Sequence, residues 1–225
     1  MGARAKLAIA VAAVAVFAVA AMASAEGLLS LSASPLKVTY PHRSTLTVTF
    51  PTADPATATI LAMPIGASDW TTTTLKATTA TPTVSVKPKV TTAYKAYLSD
   101  TQISEPVTVS VAARLVKPQI GGNLRHGYSY TVKGQMAPGE KDATVTVTFY
   151  RMTTVRRGVG HARKTIEAWV LQGQPVLVGL KLRNAELSTW TMKWTPLPAG
   201  WYKVVVSHED AAHVASSATT YKWVR

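Results

Sequence analysis

The sequence predicts an all-β protein made of two tandem β-sandwiches behind a short N-terminal helix. Short stretches alternate apolar and polar residues, and turn residues separate them about every 8 to 12 positions. Thr, Val and Ala are abundant while charged residues make up only 16% of the chain, a composition typical of strands. One strand pair also occurs twice, because Pro88 and Tyr94 in the first copy have the same spacing as Pro196 and Tyr202 in the second.

Residues 1–25 are predicted to be a cleavable signal peptide. Arg4 and Lys6 precede an apolar run over residues 7–21, and a small-x-small pattern ends at Ala25. The mature chain would begin at Glu26 and be extracellular or associated with the cell envelope. An uncleaved membrane anchor is the alternative, since the run approaches the roughly 17 residues that a span needs. The chain has no cysteine, which excludes disulfides and a thiol-linked lipid anchor.

The first sandwich is predicted over residues 26–113. The stretch 45–50 alternates strictly and places Leu46, Val48 and Phe50 on one face. Strands are expected at residues 29–35, 36–40, 45–50, 56–61, 70–75, around Val84 and Val86, around Tyr94, and at 107–111.

The second sandwich is predicted over residues 114–225 and repeats this order. Strands are expected at residues 127–134, 144–150, around Trp169, across Trp190, Met192 and Trp194, around Tyr202, and at 218–224. The junction at residues 112–118 contains no flexible Gly/Ser run. We therefore expect a short, fairly stiff connection and an elongated, end-to-end pair of domains.

Short motifs in both copies resemble the immunoglobulin-like repeats of secreted and surface proteins of bacteria, chiefly actinobacteria. They lie at residues 31–35, 38–40, 47–49, 87–88, 92–96, 107–111, 200–206 and 210–213. The resemblance implies a disulfide-free, immunoglobulin-like or fibronectin-III-like sandwich that serves as a spacer, adhesion or accessory binding module. It carries no catalytic motif.

The second copy is longer than the first in two places, and insertions in a repeated scaffold fall in surface loops where binding residues tend to lie. The first insertion, at about residues 151–164, is basic, and Gly158 and Gly160 supply turn positions for a long hairpin. The predicted binding residues for an anionic partner are Arg151, Arg156, Arg157, His161, Arg163 and Lys164.

Charge is concentrated on the same half of the chain. Residues 26–113 hold 6 Lys and Arg against 5 Asp and Glu, whereas residues 114–225 hold 16 against 6. This asymmetry favours an anionic partner such as a cell-wall polymer, a polysaccharide or an acidic protein. A solvated basic face is the alternative. No nucleic acid is expected, and a membrane only through an uncleaved signal segment or surface charge.

The second insertion, at about residues 171–180, is apolar and uncharged. It is expected to form either an extra buried strand or a lip of exposed hydrophobic surface. The alternative function is therefore protein–protein interaction or assembly through strand edges and residues 176–178. An accessory domain of a secreted enzyme system is a further alternative.

No catalytic site, metal or cofactor is predicted. The chain has no Gly-x-Ser-x-Gly motif and only 11 acidic residues from which to build a carboxylate pair. His208, Glu209, Asp210 and His213 invite a metal-site interpretation, but their spacing matches no known ligand set and the first copy lacks the histidines. A turn with local capping is expected there. The other histidines, His42, His126 and His161, are expected to be solvated.

The aromatic residues of the second copy divide into two groups. Trp190, Trp194 and Tyr202 fall at inward positions and are expected in the core, with Tyr202 near a tyrosine corner, as Tyr94 is in the first copy. Trp201 and Trp223 are expected on outer faces. They are the weaker candidates for stacking on sugar rings.

Overall fold

The computed structural model describes residues 28–50, 57–76, 81–99, 102–158 and 164–225. Within these ranges the chain is all-β, and it contains no helix of the length and apolarity needed to cross a membrane. The predicted all-β, β-sandwich fold class is confirmed. The predicted signal peptide lies outside the described residues.

The first sandwich contains a three-stranded and a six-stranded sheet. Its strands are β1 (Ser30–Ser34), β2 (Lys37–Thr39), β3 (Ser44–Thr49), β4 (Thr57–Pro64), β5 (Thr71–Lys76), β6 (Thr83–Val86), β7 (Thr92–Ser99), β8 (Gln102–Ile103) and β9 (Val107–Ala112). The small sheet has the order β1-β3-β6, and the large one the order β2-β9-β7-β4-β5 with β8 beside β7. The pairing of β2 with β9 is parallel and the others are antiparallel.

The core of this sandwich lies between the two sheets. Leu46 and Val48 of β3 are fully buried, and they share one hydrophobic cluster with Ile60 of β4, Tyr94 of β7 and Val109 of β9. The alternation along residues 45–50 therefore predicted the inward face correctly.

The second sandwich contains two five-stranded sheets. Its strands are β10 (Arg114–Leu115), β11 (Gln119–Ile120), β12 (Tyr130–Ala137), β13 (Thr144–Arg157), β14 (Lys164–Leu171), β15 (Val176–Gly179), β16 (Lys181–Asn184), β17 (Leu187–Trp194), β18 (Gly200–His208) and β19 (Ser216–Val224). One sheet has the order β10-β12-β17-β16 with β11 beside β12, and the other the order β14-β13-β18-β19 with β15 beside β13.

The predicted core aromatics occupy the space between these two sheets. Trp190 and Tyr202 are buried, and Trp194 stacks on Phe149 with ring centroids 4.8 Å apart. The Tyr202 hydroxyl donates a hydrogen bond of 2.9 Å to the carbonyl of Pro198. This bond to backbone four residues upstream is a tyrosine corner, so that prediction is confirmed for Tyr202.

The two insertions both extend the strand system around β13. This strand is 14 residues long. Its residues 146–151 pair with β18, and its residues 150–157 pair with β14, the last pair being Arg157 and Lys164. Antiparallel pairing of β13 with β14 is what a long hairpin requires, and residues 159–163 between the two strands lie outside the described residues. The apolar insertion forms β15, in which Val178 faces the core while Leu177 is 72% exposed. The insertion therefore forms an extra strand in which Val178 is buried and the other three residues are exposed.

The junction passes directly from strand to strand, as predicted: β9 ends at Ala112, and β10 begins two residues later. The β18–β19 loop adds a second contact between the sandwiches. The Val214 N–H donates to the carbonyl of Val111, and the carbonyl of Ala212 accepts from the N–H of Thr91, each at 2.9 Å. This loop is consequently held by backbone hydrogen bonds to the first sandwich.

Candidate functional site

An exposed aromatic surface covers the outer side of the β14-β13-β18-β19 sheet. Side chains alternate along a strand, so the residues that flank the buried Tyr202 and Val204 point outward. The register places Trp201 opposite Trp223, and Lys203 opposite both Tyr221 and Tyr150. We call this surface the aromatic face; its rings belong to Tyr150, Trp169, Trp201, Tyr221 and Trp223.

Ring contacts fix the geometry of the aromatic face. Trp201 and Trp223 meet edge to face with centroids 5.6 Å apart, and Trp169 and Tyr221 are tilted at the same separation. Trp201 and Trp223 are each 49% exposed and Tyr221 is 55% exposed. Contiguous exposed apolar surface is often an interaction site in soluble proteins, which makes the aromatic face a candidate binding surface.

A cation lies in the middle of this surface. The Lys203 ammonium is 4.4 Å from the ring centroid of Tyr150 and 5.4 Å from that of Trp169. Cation–π attraction to both rings holds the charge on the face rather than in bulk solvent. The aromatic face therefore offers flat apolar rings around a positioned positive charge.

The basic hairpin continues the same strands beyond the aromatic face. Arg156 and Arg157 are exposed near the end of β13. Arg156 has the same outward orientation as Tyr150, because the two are an even number of residues apart and the register with β14 is regular between them. Lys164 is the first residue of β14. His161 and Arg163 lie outside the described residues.

Arg151 occupies a different environment from the other predicted binding residues. Its Nε and Nη2 donate to the carbonyl oxygen of Ala199 at 3.1 and 2.8 Å, which ties β13 to the turn before β18. Burial raises the pKa of the neighbouring Tyr202, and the Arg151 charge acts against that shift. The guanidinium of Arg151 is thus engaged within the sandwich.

A cluster of histidine and carboxylate side chains lies where the second sandwich meets the first. Glu140 comes from the loop after β12, His208 is the last residue of β18, and Asp210 and His213 belong to the β18–β19 loop. One ligand-type atom from each of the four residues lies within 4.8 Å of those of the others. We call this group the histidine–carboxylate cluster.

The two imidazoles face two carboxylates. Nε2 of His208 lies 3.2 Å from Oδ2 of Asp210 and 3.6 Å from Oε2 of Glu140. Nδ1 of His213 lies 2.9 Å from Oε1 of Glu140 and 3.3 Å from Oδ1 of Asp210. The histidine side chains are 2% and 0% exposed, so these charged contacts lie largely out of water.

Backbone carbonyls orient both rings. Nδ1 of His208 lies 2.8 Å from the Thr144 oxygen, and Nε2 of His213 lies 2.9 Å from the Lys89 oxygen of the first sandwich. A carbonyl oxygen only accepts, so each of these nitrogens carries the proton. The opposite nitrogen of each ring points into the cluster.

The electrostatics of the cluster follow from these contacts. Burial acts to lower the pKa of His213. This pKa is nevertheless raised, because the ring is hydrogen-bonded to Glu140 and to the Lys89 carbonyl and lies near the negative charges of Glu140 and Asp210. Burial acts to raise the pKa of Asp210. This pKa is nevertheless lowered, because the carboxylate accepts hydrogen bonds from the backbone N–H groups of His213 and Ala212 and lies near the charges of His213 and His208. The carboxylates thus create a field that favours positive charge.

The loop that presents Glu140 is rigidly supported. A Cβ on Gly139 would lie 1.9 Å from the backbone oxygen of Asn184, so only glycine fits there. The buried Ser188 hydroxyl accepts from the Glu140 N–H at 2.8 Å and donates to the Glu140 carbonyl at 2.9 Å. These contacts fix the Glu140 backbone.

Sequence reasoning found only part of the histidine–carboxylate cluster. The expected capping turn is confirmed, because Oδ1 of Asp210 accepts from the N–H groups of Ala212 and His213 at 2.8 and 2.7 Å. The contribution of Glu140 was missed, since this residue comes from a distant loop. The expectation of solvated histidines is confirmed for His42 and His126, which are exposed.

The sequence matches no protein-family model and is not significantly similar to any curated protein. Among solved structures, the chain is similar to red sea bream transglutaminase, with a TM-score of 0.38 and 14% identity over 88% of this chain and 31% of that one. It is also similar to Escherichia coli alpha-2-macroglobulin in its native conformation, with a TM-score of 0.30 and 10% identity over 88% of this chain and 16% of that one. The chain thus spans less than a third of either protein.

Proposed function

We propose that this chain is an exported, non-catalytic binding protein whose second sandwich binds an anionic polysaccharide across the aromatic face. The observation that carries the proposal is the placement of the Lys203 ammonium over the rings of Tyr150 and Trp169 within an exposed aromatic surface. Rings of this kind stack on the C–H faces of sugars, and the ammonium pairs with a carboxylate or phosphate substituent.

The geometry suits a polymer better than a single sugar. Trp201, Trp223 and Tyr221 form a broad surface on two adjacent strands rather than an enclosed pocket. Arg156 lies six positions along β13 from Tyr150, which is about 20 Å at the usual rise of a strand. An extended chain of several sugar units could contact the rings and the hairpin together.

Charge supports an anionic ligand over a neutral one. The second half of the chain holds 16 Lys and Arg against 6 Asp and Glu. A surplus of this size raises the local concentration of polyanions and speeds their association. Arg156 and Arg157 would supply the bidentate donors that match carboxylate and phosphate groups.

The test separates stacking on sugars from attraction to any polyanion. We expect the wild-type chain to bind at least one uronate polymer among polygalacturonate, alginate and hyaluronan in affinity electrophoresis and calorimetry. Binding should be weaker to polyacrylate, which has charge without sugar rings, and to methyl-esterified polygalacturonate, which has the rings without the charge. Equal binding to polyacrylate, or no binding to any uronate polymer, would contradict the proposal.

Matched variants locate the surface. Trp201→Ala combined with Trp223→Ala should weaken binding at least about tenfold, equivalent to about 1.4 kcal/mol, because it removes two stacking rings. Tyr128→Ala is the control, since Tyr128 is 62% exposed but lies outside the aromatic face. If the control weakens binding as much as the double variant, the aromatic face is not the site.

The hairpin is tested by a second matched pair. Arg156→Ser with Arg157→Ser should reduce affinity, and the reduction should shrink as salt rises because exposed charges are screened. Arg114→Ser with Arg125→Ser removes the same charge from exposed positions elsewhere on this sandwich. Equal losses in the two pairs would mean that net charge alone attracts the polymer.

A second candidate function, assembly with another protein, is favoured by one observation. On β15, Leu177 is 72% exposed and Val176 is 40% exposed. One edge of β15 pairs with β13. An exposed apolar strand invites edge pairing. Concentration-dependent association in analytical ultracentrifugation that Leu177→Asp abolishes would support this function, and a strictly monomeric chain would reject self-assembly.

A further inference from the structure

We propose that the histidine–carboxylate cluster is a binding site for a divalent transition-metal ion of the Zn²⁺ class, with Glu140, His208, Asp210 and His213 as its four ligands. The site is distinct from the aromatic face and does not depend on polysaccharide binding. Its position between the sandwiches gives the ion a structural role at their junction.

The separations within the cluster approach those around a tetrahedral ion. Zn²⁺ bonds nitrogen and oxygen ligands at about 2.0–2.1 Å, so neighbouring ligand atoms in a tetrahedron lie about 3.3 Å apart. The four nitrogen–oxygen distances across the cluster are 2.9, 3.2, 3.3 and 3.6 Å, and each uses a different carboxylate oxygen. With one ligand atom taken from each residue, the four atoms lie within 4.8 Å of one another, so a bound ion would draw these side chains inward.

The protonation pattern of the rings also fits a metal. Nδ1 of His208 and Nε2 of His213 donate to backbone carbonyls, as the outer nitrogens of metal-bound histidines commonly do. In neutral rings, the opposite nitrogens direct lone pairs at carboxylate oxygens. Facing acceptors repel one another unless a metal ion or a proton lies between them.

Two buried atoms favour a metal over a network of ion pairs. Nε2 of His208 and Oε2 of Glu140 are buried, and neither has a hydrogen-bond partner among the described residues. A protonated His208 would donate a hydrogen bond from Nε2 to one of the nearby carboxylates, but Nε2 forms no such bond in this structure. Leaving such atoms unpaired is costly, whereas one ion would satisfy both.

The ligand set selects the class of metal. Two imidazoles favour Zn²⁺ and its neighbours in the first transition row over Ca²⁺ and Mg²⁺, which prefer oxygen ligands alone. Two carboxylates would neutralise the charge of a divalent ion. Asp210 is 34% exposed and borders an open cleft of about 520 Å³, which gives the ion a route from solvent.

Four protein ligands describe a closed, structural site rather than a catalytic one. The ion would fix His213, whose other nitrogen bonds the Lys89 carbonyl of the first sandwich. The same loop already bonds Thr91 and Val111 through its backbone. Metal binding should therefore strengthen the contact between the two sandwiches.

The proposal is tested on the full chain after removal of metal with a chelator. Titration with ZnCl₂ in a calorimeter should show one site per chain, and MgCl₂ at the same concentration should not compete. Addition of CoCl₂ should produce the visible absorption bands of tetrahedral Co²⁺. Glu140→Gln should weaken Zn²⁺ binding by more than about 100-fold, since loss of a ligand exceeds the 10–100-fold effect of outer-shell changes.

Controls keep the result interpretable. Glu140→Gln preserves size and should fold, which circular dichroism verifies; His213→Gln is the second test variant. His42→Gln with His126→Gln removes exposed histidines and should leave binding unchanged. The proposal is overturned if the wild type binds no Zn²⁺, if Glu140→Gln binds as tightly as the wild type, or if the control pair abolishes binding.

Discussion

Nε2 of His208 and Oε2 of Glu140 lie 3.6 Å apart, and both atoms are buried without a hydrogen-bond partner among the described residues. Glu140 comes from the loop after β12 and His208 from the end of β18, and the loop after β18 also contacts the first sandwich. A polar gap at a junction between domains suits an ion that holds the junction together.

Removal of metal should therefore lower the stability of the wild-type chain. A ligand at 100 times its dissociation constant stabilises the folded state by about 2.7 kcal/mol. We expect the melting temperature of the Zn²⁺-loaded chain to fall by about 5 °C or more after chelation, measured by differential scanning calorimetry. The Glu140→Gln variant should show no such fall. A chelator effect of equal size in both proteins would mean that the ion acts elsewhere.

Gly139→Ala should destabilise the second sandwich. The added Cβ would meet the Asn184 oxygen at 1.9 Å and the Leu187 nitrogen at 2.7 Å, both backbone atoms that cannot easily move. We expect a loss of about 2 kcal/mol in the free energy of unfolding, measured with urea, together with weaker Zn²⁺ binding. Gly121→Ala is the control, because its Cβ would meet nothing within 4 Å. Equal stability of the two variants would show that the Glu140 loop is not constrained in this way.

Tyr202→Phe should remove the tyrosine corner without changing the packing. The hydroxyl of this buried residue donates to the Pro198 carbonyl at 2.9 Å, and its loss leaves that acceptor unpaired. We expect a cost of about 1–2 kcal/mol in chemical denaturation. Tyr128→Phe alters an exposed tyrosine and should cost nothing measurable. Indistinguishable denaturation curves for the two variants would argue that the corner does not stabilise the sandwich.

Arg151→Met should affect stability rather than binding. The guanidinium makes two hydrogen bonds to the Ala199 carbonyl, which the methionine side chain cannot replace. We expect a loss of about 1 kcal/mol in stability and less than about a twofold change in uronate-polymer affinity. Arg156→Ser is the matched comparison and should show the opposite pattern. A large loss of affinity in Arg151→Met would return this residue to the binding surface.

The sequence alone was sufficient for the fold class and for part of the proposed binding surface. Strict alternation and the repeated Tyr94 and Tyr202 strands predicted the sandwiches, because period-2 burial is a local property of a strand. The comparison of the two copies predicted the basic hairpin. That comparison could not show that Arg151 and Arg156 have different environments, because Arg151 donates to a backbone carbonyl in a turn far away in the sequence.

The aromatic face and the histidine–carboxylate cluster needed three-dimensional information. Trp201 and Trp223 were expected on outer faces, but the position of Lys203 between the rings depends on the register of β18 with its neighbours. Glu140 reaches His208 only through the packing of loops at one end of the sandwich. Neither arrangement corresponds to a fixed residue spacing that could be recognised in the sequence.

Nuclear magnetic resonance of the tryptophan indole N–H groups tests the polysaccharide site most directly. Oligomers of the uronate polymer that binds best would be titrated into ¹⁵N-labelled protein, with signals assigned by single Trp→Phe variants. The signals of Trp169, Trp201 and Trp223 should shift progressively to saturation, while that of the buried Trp190 stays in place. Saturation of binding with the Trp201 and Trp223 signals unmoved would contradict the proposal.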